Sequence, residues 1–162
     1  VTTYVDSSAL VSVYVTERFS KAARAAVRRA SQVPYTPLHQ LEVPNAFEML
    51  VGRGAITRNE CDALLGHLRE DVEAHRLMTV SPDLEPVFAR ASEFSRLYTA
   101  KTLARSLDLL HVAAAHVAAC TRFVSGDDRQ LAVAKASGLD VVDIKRRVRR
   151  SAPQPRRRNR IS

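Results

Sequence analysis

The chain has 162 residues, 46% of them hydrophobic, which is enough for one sizeable core and too few for two ordinary domains. No run approaches the roughly 18 apolar residues of a membrane span, and the first residues lack the basic-then-apolar pattern of a secretion signal, so a cytoplasmic location without membrane contact is expected. The formal charge of +8 is unevenly placed: residues 145–162 hold nine of the 25 Lys and Arg and no acid, leaving 16 basic residues against 17 acids in the preceding 144.

Thr2 to Val5 is a short β-rich run ending at Asp6, and Ser7 or Ser8 is placed to cap a helix carrying Leu10, Val11 and Tyr14. Arg18 to Ala30 reads as a second helix with a basic outer face, and Val33 to Thr36 as a brief strand. Leu38, Leu41, Phe47, Leu50 and Val51 then give a helical stripe that includes Glu42, although Pro44 suits a helix start better than an interior. Thr57-x-x-Glu60 is a capping box for the helix of Leu64, Leu65, Leu68 and Val72.

Leu77 to Val80 is the next strand, and Ser81-Pro82-Asp83 opens a helix through Val87, Phe88, Phe94 and Leu97. Ser106 is expected to cap a central, buried helix holding Asp108 and the small apolar run from Val112 to Ala119. Arg122 to Ser125 is a strand ending at Gly126-Asp127. A helix from Asp128 stops at Gly138, before a last strand, Leu139 to Val142. Strands separated by helices require crossovers, so the expected fold is α/β, a mostly parallel central sheet flanked by helices on both faces.

Four acidic motifs stand out in this frame: Val5-Asp6-Ser7-Ser8, Leu41-Glu42-x-x-Asn45, Leu107-Asp108-Leu109-Leu110-His111, and Val124-Ser125-Gly126-Asp127-Asp128-Arg129-Gln130. Two of them end buried strands, and an acid there faces the crevice where open α/β sheets do their chemistry. Converging carboxylates repel one another unless they bind a cation or gain protons. Their hard oxygens suit Mg²⁺ or Mn²⁺ and argue against zinc. Cys61 and Cys120 lack CxxC spacing and read as lone thiols.

In order and spacing these motifs resemble the PIN-domain ribonucleases, specifically the VapC-type toxins of VapBC toxin–antitoxin pairs, over about residues 2–144. The resemblance implies a single PIN-like nuclease domain over residues 1–144, with Asp6, Asp108 and Asp127 binding the metal and Glu42 as the remaining catalytic acid, acting through metal-bound water. Ser7, Ser125 and Asn45 match its auxiliary polar positions. It further implies an endoribonuclease using Mg²⁺ or Mn²⁺, a bacterial cytoplasmic setting, an RNA substrate, a cognate antitoxin and a homodimer. Gly126 departs from the side chain often found at its position.

Each acid also has a simpler reading. Asp6 could be a strand-end cap for the next helix, and Asp108 and Glu42 could be charges near helix N-termini. Asp127 and Asp128 compete for one role, Asp127 being nearer the strand end. His111 reads as a hydrogen-bonded helix residue. Two other functions are weighed: a doubly wound phosphatase using Asp6, and a non-catalytic RNA- or antitoxin-binding module. Aromatic residues, 6% of the chain, do not interleave with basic ones, so RNA binding would lean on charge and metal. The C-terminal tail, residues 145–162, with Arg146, Arg147, Arg149, Arg150, Arg156, Arg157 and Arg158, is the expected phosphate-binding segment.

Overall fold

A computed structural model describes residues 2–146. Of the tail arginines, only Arg146 falls within that range; Arg147, Arg149, Arg150, Arg156, Arg157 and Arg158 lie outside the described residues. The element order is β1 (Thr3–Val5), α1 (Ser7–Tyr14), α2 (Ser20–Arg28), β2 (Pro34–Tyr35), α3 (Pro37–Gly52), α4 (Arg58–Glu73), β3 (Met78–Thr79) and α5 (Leu84–Phe94). A π-helical turn, Ser95–Thr99, and a single turn α6 (Ala100–Thr102) lead to α7 (Ser106–Val117), β4 (Arg122–Ser125), α8 (Asp128–Ala136) and β5 (Asp140–Asp143).

All strand pairs among the described residues are parallel, as β1-β4-β5 and β2-β3. A single bridge, Thr2 to Gln32, joins the two groups, giving the order β3-β2-β1-β4-β5. Successive strands are added on one side of β1 as far as β3 and on its other side from β4 onward, and a topological switch of that kind opens a crevice at the C-terminal strand ends. Alternation along the strands divides the core. Tyr4 and Phe123 face a cluster with Phe94 of α5, Val112 of α7 and Val133 of α8. Val5 and Val124 face Leu10 of α1, Ala23 of α2, Phe47 of α3 and Leu68 of α4. The α/β arrangement with helices on both faces is therefore as expected.

Several local expectations change. Asp6, not Ser7 or Ser8, caps α1, its carboxylate accepting from Ala9 N–H. The proline at the start of α3 is Pro37, while Pro44 lies inside the helix and removes a backbone donor there. The fully buried Val43 and Phe47 on either side of it supply the core packing that holds the helix through the break. Leu41, at 70% exposure, is outside the core stripe. Arg105 stands at the N-cap of α7 in place of Ser106, its N–H bound by the Asp108 carboxylate at 2.7 Å. The Thr57–Glu60 capping box and the stop at Gly138, whose φ is +98°, form as expected.

Candidate active site

Strand register sets the floor of the site. Val5 pairs with Val124, and the Asp6 N–H continues the ladder to Val124 O at 2.9 Å. Asp6 thus emerges beside Ser125, and Asp127 follows two residues later as the N-cap of α8. The Asp6 carboxylate is only 2% exposed. One oxygen accepts from Ala9 N–H at 2.9 Å and the other from Ser8 Oγ at 2.8 Å. Burial pushes its pKa up, against the pull of the Ala9 N–H, His111 and the Ser8 and Ser125 hydroxyls.

Two residues tie the acids together. Ser125 Oγ accepts from Asp127 N–H at 2.8 Å while its hydroxyl favours the Asp6 carboxylate. Gln130 donates its backbone N–H to Asp127 Oδ1 at 3.2 Å and its side-chain amide to Asp108 Oδ1 at 3.1 Å. The Gln130 Oε1 is buried without a partner. Asp127 also accepts from Arg129 N–H, so it, and not Asp128, caps α8.

Glu42 reaches the same region from α3. Its Oε2 accepts from Ser7 Oγ at 2.8 Å and lies 2.5 Å from His111 Nε2. A carboxylate only accepts, so Nε2 carries the shared proton; the Tyr4 hydroxyl meets Nδ1 at 2.9 Å. Burial would raise the Glu42 carboxyl, but the hydrogen bond and field of His111, with the Ser7 hydroxyl, hold it below the usual range. The Tyr4 phenol is pushed far up by burial and stays neutral. Behind it, His39 accepts from Thr36 N–H at Nδ1 and bonds Val5 O through Nε2. Burial lowers its pKa to about 3, which keeps it neutral.

A cleft of about 540 Å³ overlies these groups, lined by Ser7, Glu42, Asn45 and Asp127 on its polar side and by Phe19 and Met49 on its apolar side. Asn45 lies along the cleft with its amide toward Met49 Sδ at 3.8 Å, not toward an acid. Asp108 lines a smaller, adjoining hollow, to which Asp127 also contributes. Among the described residues no three acids, histidines or cysteines are gathered closely enough to hold a metal ion as they stand.

His111 as the partner of Glu42, and Gln130 as the clasp between Asp108 and Asp127, are not evident from the sequence. The one available signal was spacing: His111 stands one turn beyond Asp108, and Gln130 three residues beyond Asp127.

With this geometry in hand, comparisons place the chain among known folds. The PIN-domain family model matches residues 3–136. A sequence comparison with curated proteins returns no significant match. Among solved structures, the chain is similar to FitAcB from Neisseria gonorrhoeae at a TM-score of 0.64 and 15% identity, covering 88% of this chain and 98% of that one. It is also similar to VapBC2 from Rickettsia felis, solved with a promoter DNA fragment, at a TM-score of 0.60 and 10% identity, covering 88% and 98%. PAE2754 from Pyrobaculum aerophilum follows at 0.57 and 20% identity, covering 90% of each chain. A family model spanning most of the chain, on a parallel α/β sheet with helices on both faces, settles its membership: this chain belongs to the PIN-domain family.

Proposed function

We propose that this chain is a metal-dependent endoribonuclease and the VapC-type toxin of a toxin–antitoxin pair. PIN domains are nucleases, and the observation that carries the reading here is the placement of Asp6 and Asp127 at the C-terminal ends of adjacent strands, with Glu42 and Asp108 brought in from flanking helices. On this reading residues 1–144 form the nuclease domain, and residues 145–162 a tail that attracts RNA. The fold shared with VapBC2 and FitAcB supports an antitoxin partner, and the family resemblance supports a homodimer in the bacterial cytoplasm. No helix of the described residues is long and apolar enough to cross a membrane.

The donor chemistry fits Mg²⁺ or Mn²⁺: Asp6, Asp108 and Asp127 offer hard oxygens, and the orphaned Gln130 Oε1 is a further oxygen beside them. Such an ion would neutralise phosphate charge and lower the pKa of water. Glu42, held ionised by Ser7 and His111, is the base that takes the proton of the attacking water. His111 orients Glu42 without touching substrate. Both Asp6 oxygens are already hydrogen-bonded at the α1 cap, which disfavours Asp6 as the free nucleophile of a phosphatase.

Incubating purified protein with RNA and with a generic phosphomonoester, with and without Mg²⁺, tests the reading. Mg²⁺-dependent RNA cleavage with an untouched monoester is expected, together with growth arrest on expression and relief by the neighbouring antitoxin gene. Monoester hydrolysis alone would move the chain to the phosphatase class.

A further inference from the structure

Next to the cleft lies a cationic rim that the proposed hydrolysis does not use. Arg105, Arg129 and Lys145 line the hollow of about 240 Å³ that also holds Asp108, Asp127 and Asp128. They come from three places: the residue before α7, the first turn of α8 and the turn after β5. Three carboxylates share the hollow, yet among the described residues none of these three cations is in an ion pair. Gln130 and backbone N–H groups satisfy Asp108 and Asp127 instead. Lys145 and Asp127 line both the hollow and the main cleft, so the two spaces meet at these residues.

Gly126 explains how Lys145 reaches that point. Its φ is not in the left-handed region, so backbone conformation does not demand glycine. A Cβ built there would stand 3.2 Å from Lys145 Cε and 3.2 Å from Ile144 Cγ1, tighter than ordinary contact. The missing side chain leaves room for the lysine stem across the Asp127 turn.

Resting on the nuclease reading, we propose that this hollow is a phosphate subsite, in which Arg105, Arg129 and Lys145 bind the backbone phosphate next to the one being cut. Guanidinium forks and an ammonium suit phosphate oxygens. The three cations and three acids of the hollow cancel, so a divalent ion on the acids turns it net positive and couples subsite occupancy to metal. All three cations of the subsite lie among the described residues.

The test uses the full chain and oligoribonucleotides carrying one neutral methylphosphonate linkage at successive positions around the cleavage site. In the wild type, neutralising one linkage adjacent to the cut should raise KM about tenfold, the scale of one charge-assisted contact. In R105Q/R129Q/K145Q the KM for unmodified RNA should rise at least as much, and neutralising that same linkage should cost nothing more. K145Q alone and G126A, which crowds the lysine, should shift KM in the same direction without changing the cleavage position. Wild-type sensitivity at every linkage in the triple variant would overturn the subsite while leaving the nuclease intact. Absence of cleavage by the wild type would instead strike the nuclease reading. Binding of unmodified RNA with Mn²⁺ present would then still judge the subsite: a salt slope about 2 units shallower in the triple variant supports it, and an unchanged slope overturns it. Loss of binding to an acidic peptide, with RNA binding unchanged, would overturn it in favour of a protein partner.

Discussion

A carboxylate that caps a helix and a carboxylate that binds a cation are asked for the same oxygens, and in this protein Asp6, Asp108 and Asp127 all do the first task visibly. That dual use makes asparagine the informative substitution. Asparagine caps helices about as well as aspartate, so D6N and D127N should stay within about 1 kcal/mol of wild-type stability. In D108N the new amide would oppose the Gln130 amide, but Gln130 can turn its unsatisfied Oε1 toward it. All three variants should fold, by urea melts, and all three should lose saturable Mn²⁺ binding by electron paramagnetic resonance. A variant that binds Mn²⁺ like the wild type would leave the metal set. At His111 the expectation is graded: H111A should lower kcat by about 10- to 100-fold, the scale of outer-shell partners, and H111Q, which keeps a donor for Glu42, should recover part of it. Equal loss in both would assign His111 a packing role alone. His39 supplies a pH signature. Its pKa falls from 6.5 to about 3 on folding, so the unfolded chain binds a proton that the folded chain refuses. Stability is full above pH 6.5 and falls by about 1.4 kcal/mol per pH unit on acidification toward 3. Urea melts from pH 7 to 5 should show a slope flatter by about one proton in H39Q. The acids themselves were legible in the sequence because strand ends and ordered spacing mark them. Their helpers were not, since His111 and Gln130 act across 69 and 22 residues of sequence.

Regular elements were legible where one local rule decides them. The box at Thr57 and Glu60 and the glycine stop at Gly138 needed no tertiary information. Pro44 misled because a local penalty was overruled by burial of Val43 and Phe47, which a sequence does not display. The cap of α1 was read at Ser7 or Ser8 and not at Asp6 for a related reason: serine and aspartate neighbours are chemically equivalent caps, and only the strand register decides which one meets the helix. If Pro44 is held in place by its neighbours, P44A should restore the donor to α3 and stabilise the protein in urea without altering RNA cleavage. A destabilised P44A would mean that α3 is shaped around the break.

Across the whole molecule, charge separates a near-neutral body from a basic C-terminus. Lys145, counted with the tail by its sequence neighbours, sits in the lining of the acidic cleft. The remaining tail arginines should act as a general attraction for RNA. Deleting residues 149–162 removes six arginines, each worth up to about −0.7 in the salt slope of single-strand binding. Binding should weaken and its salt dependence flatten with the cleavage position unchanged, because phosphate contacts position without reading bases. Superimposable salt series would make the tail a passenger. The acids at the β1 and β4 strand ends should act as one cation-dependent centre for cutting RNA. Its most direct test is RNA cleavage across a Mn²⁺ titration by the wild type and the D6N, D108N and D127N variants. Saturating, chelator-sensitive cleavage is expected of the wild type, and none of the three variants should cleave at any Mn²⁺ concentration. Full cleavage in excess chelator, or wild-type rates in any of the three, would contradict it.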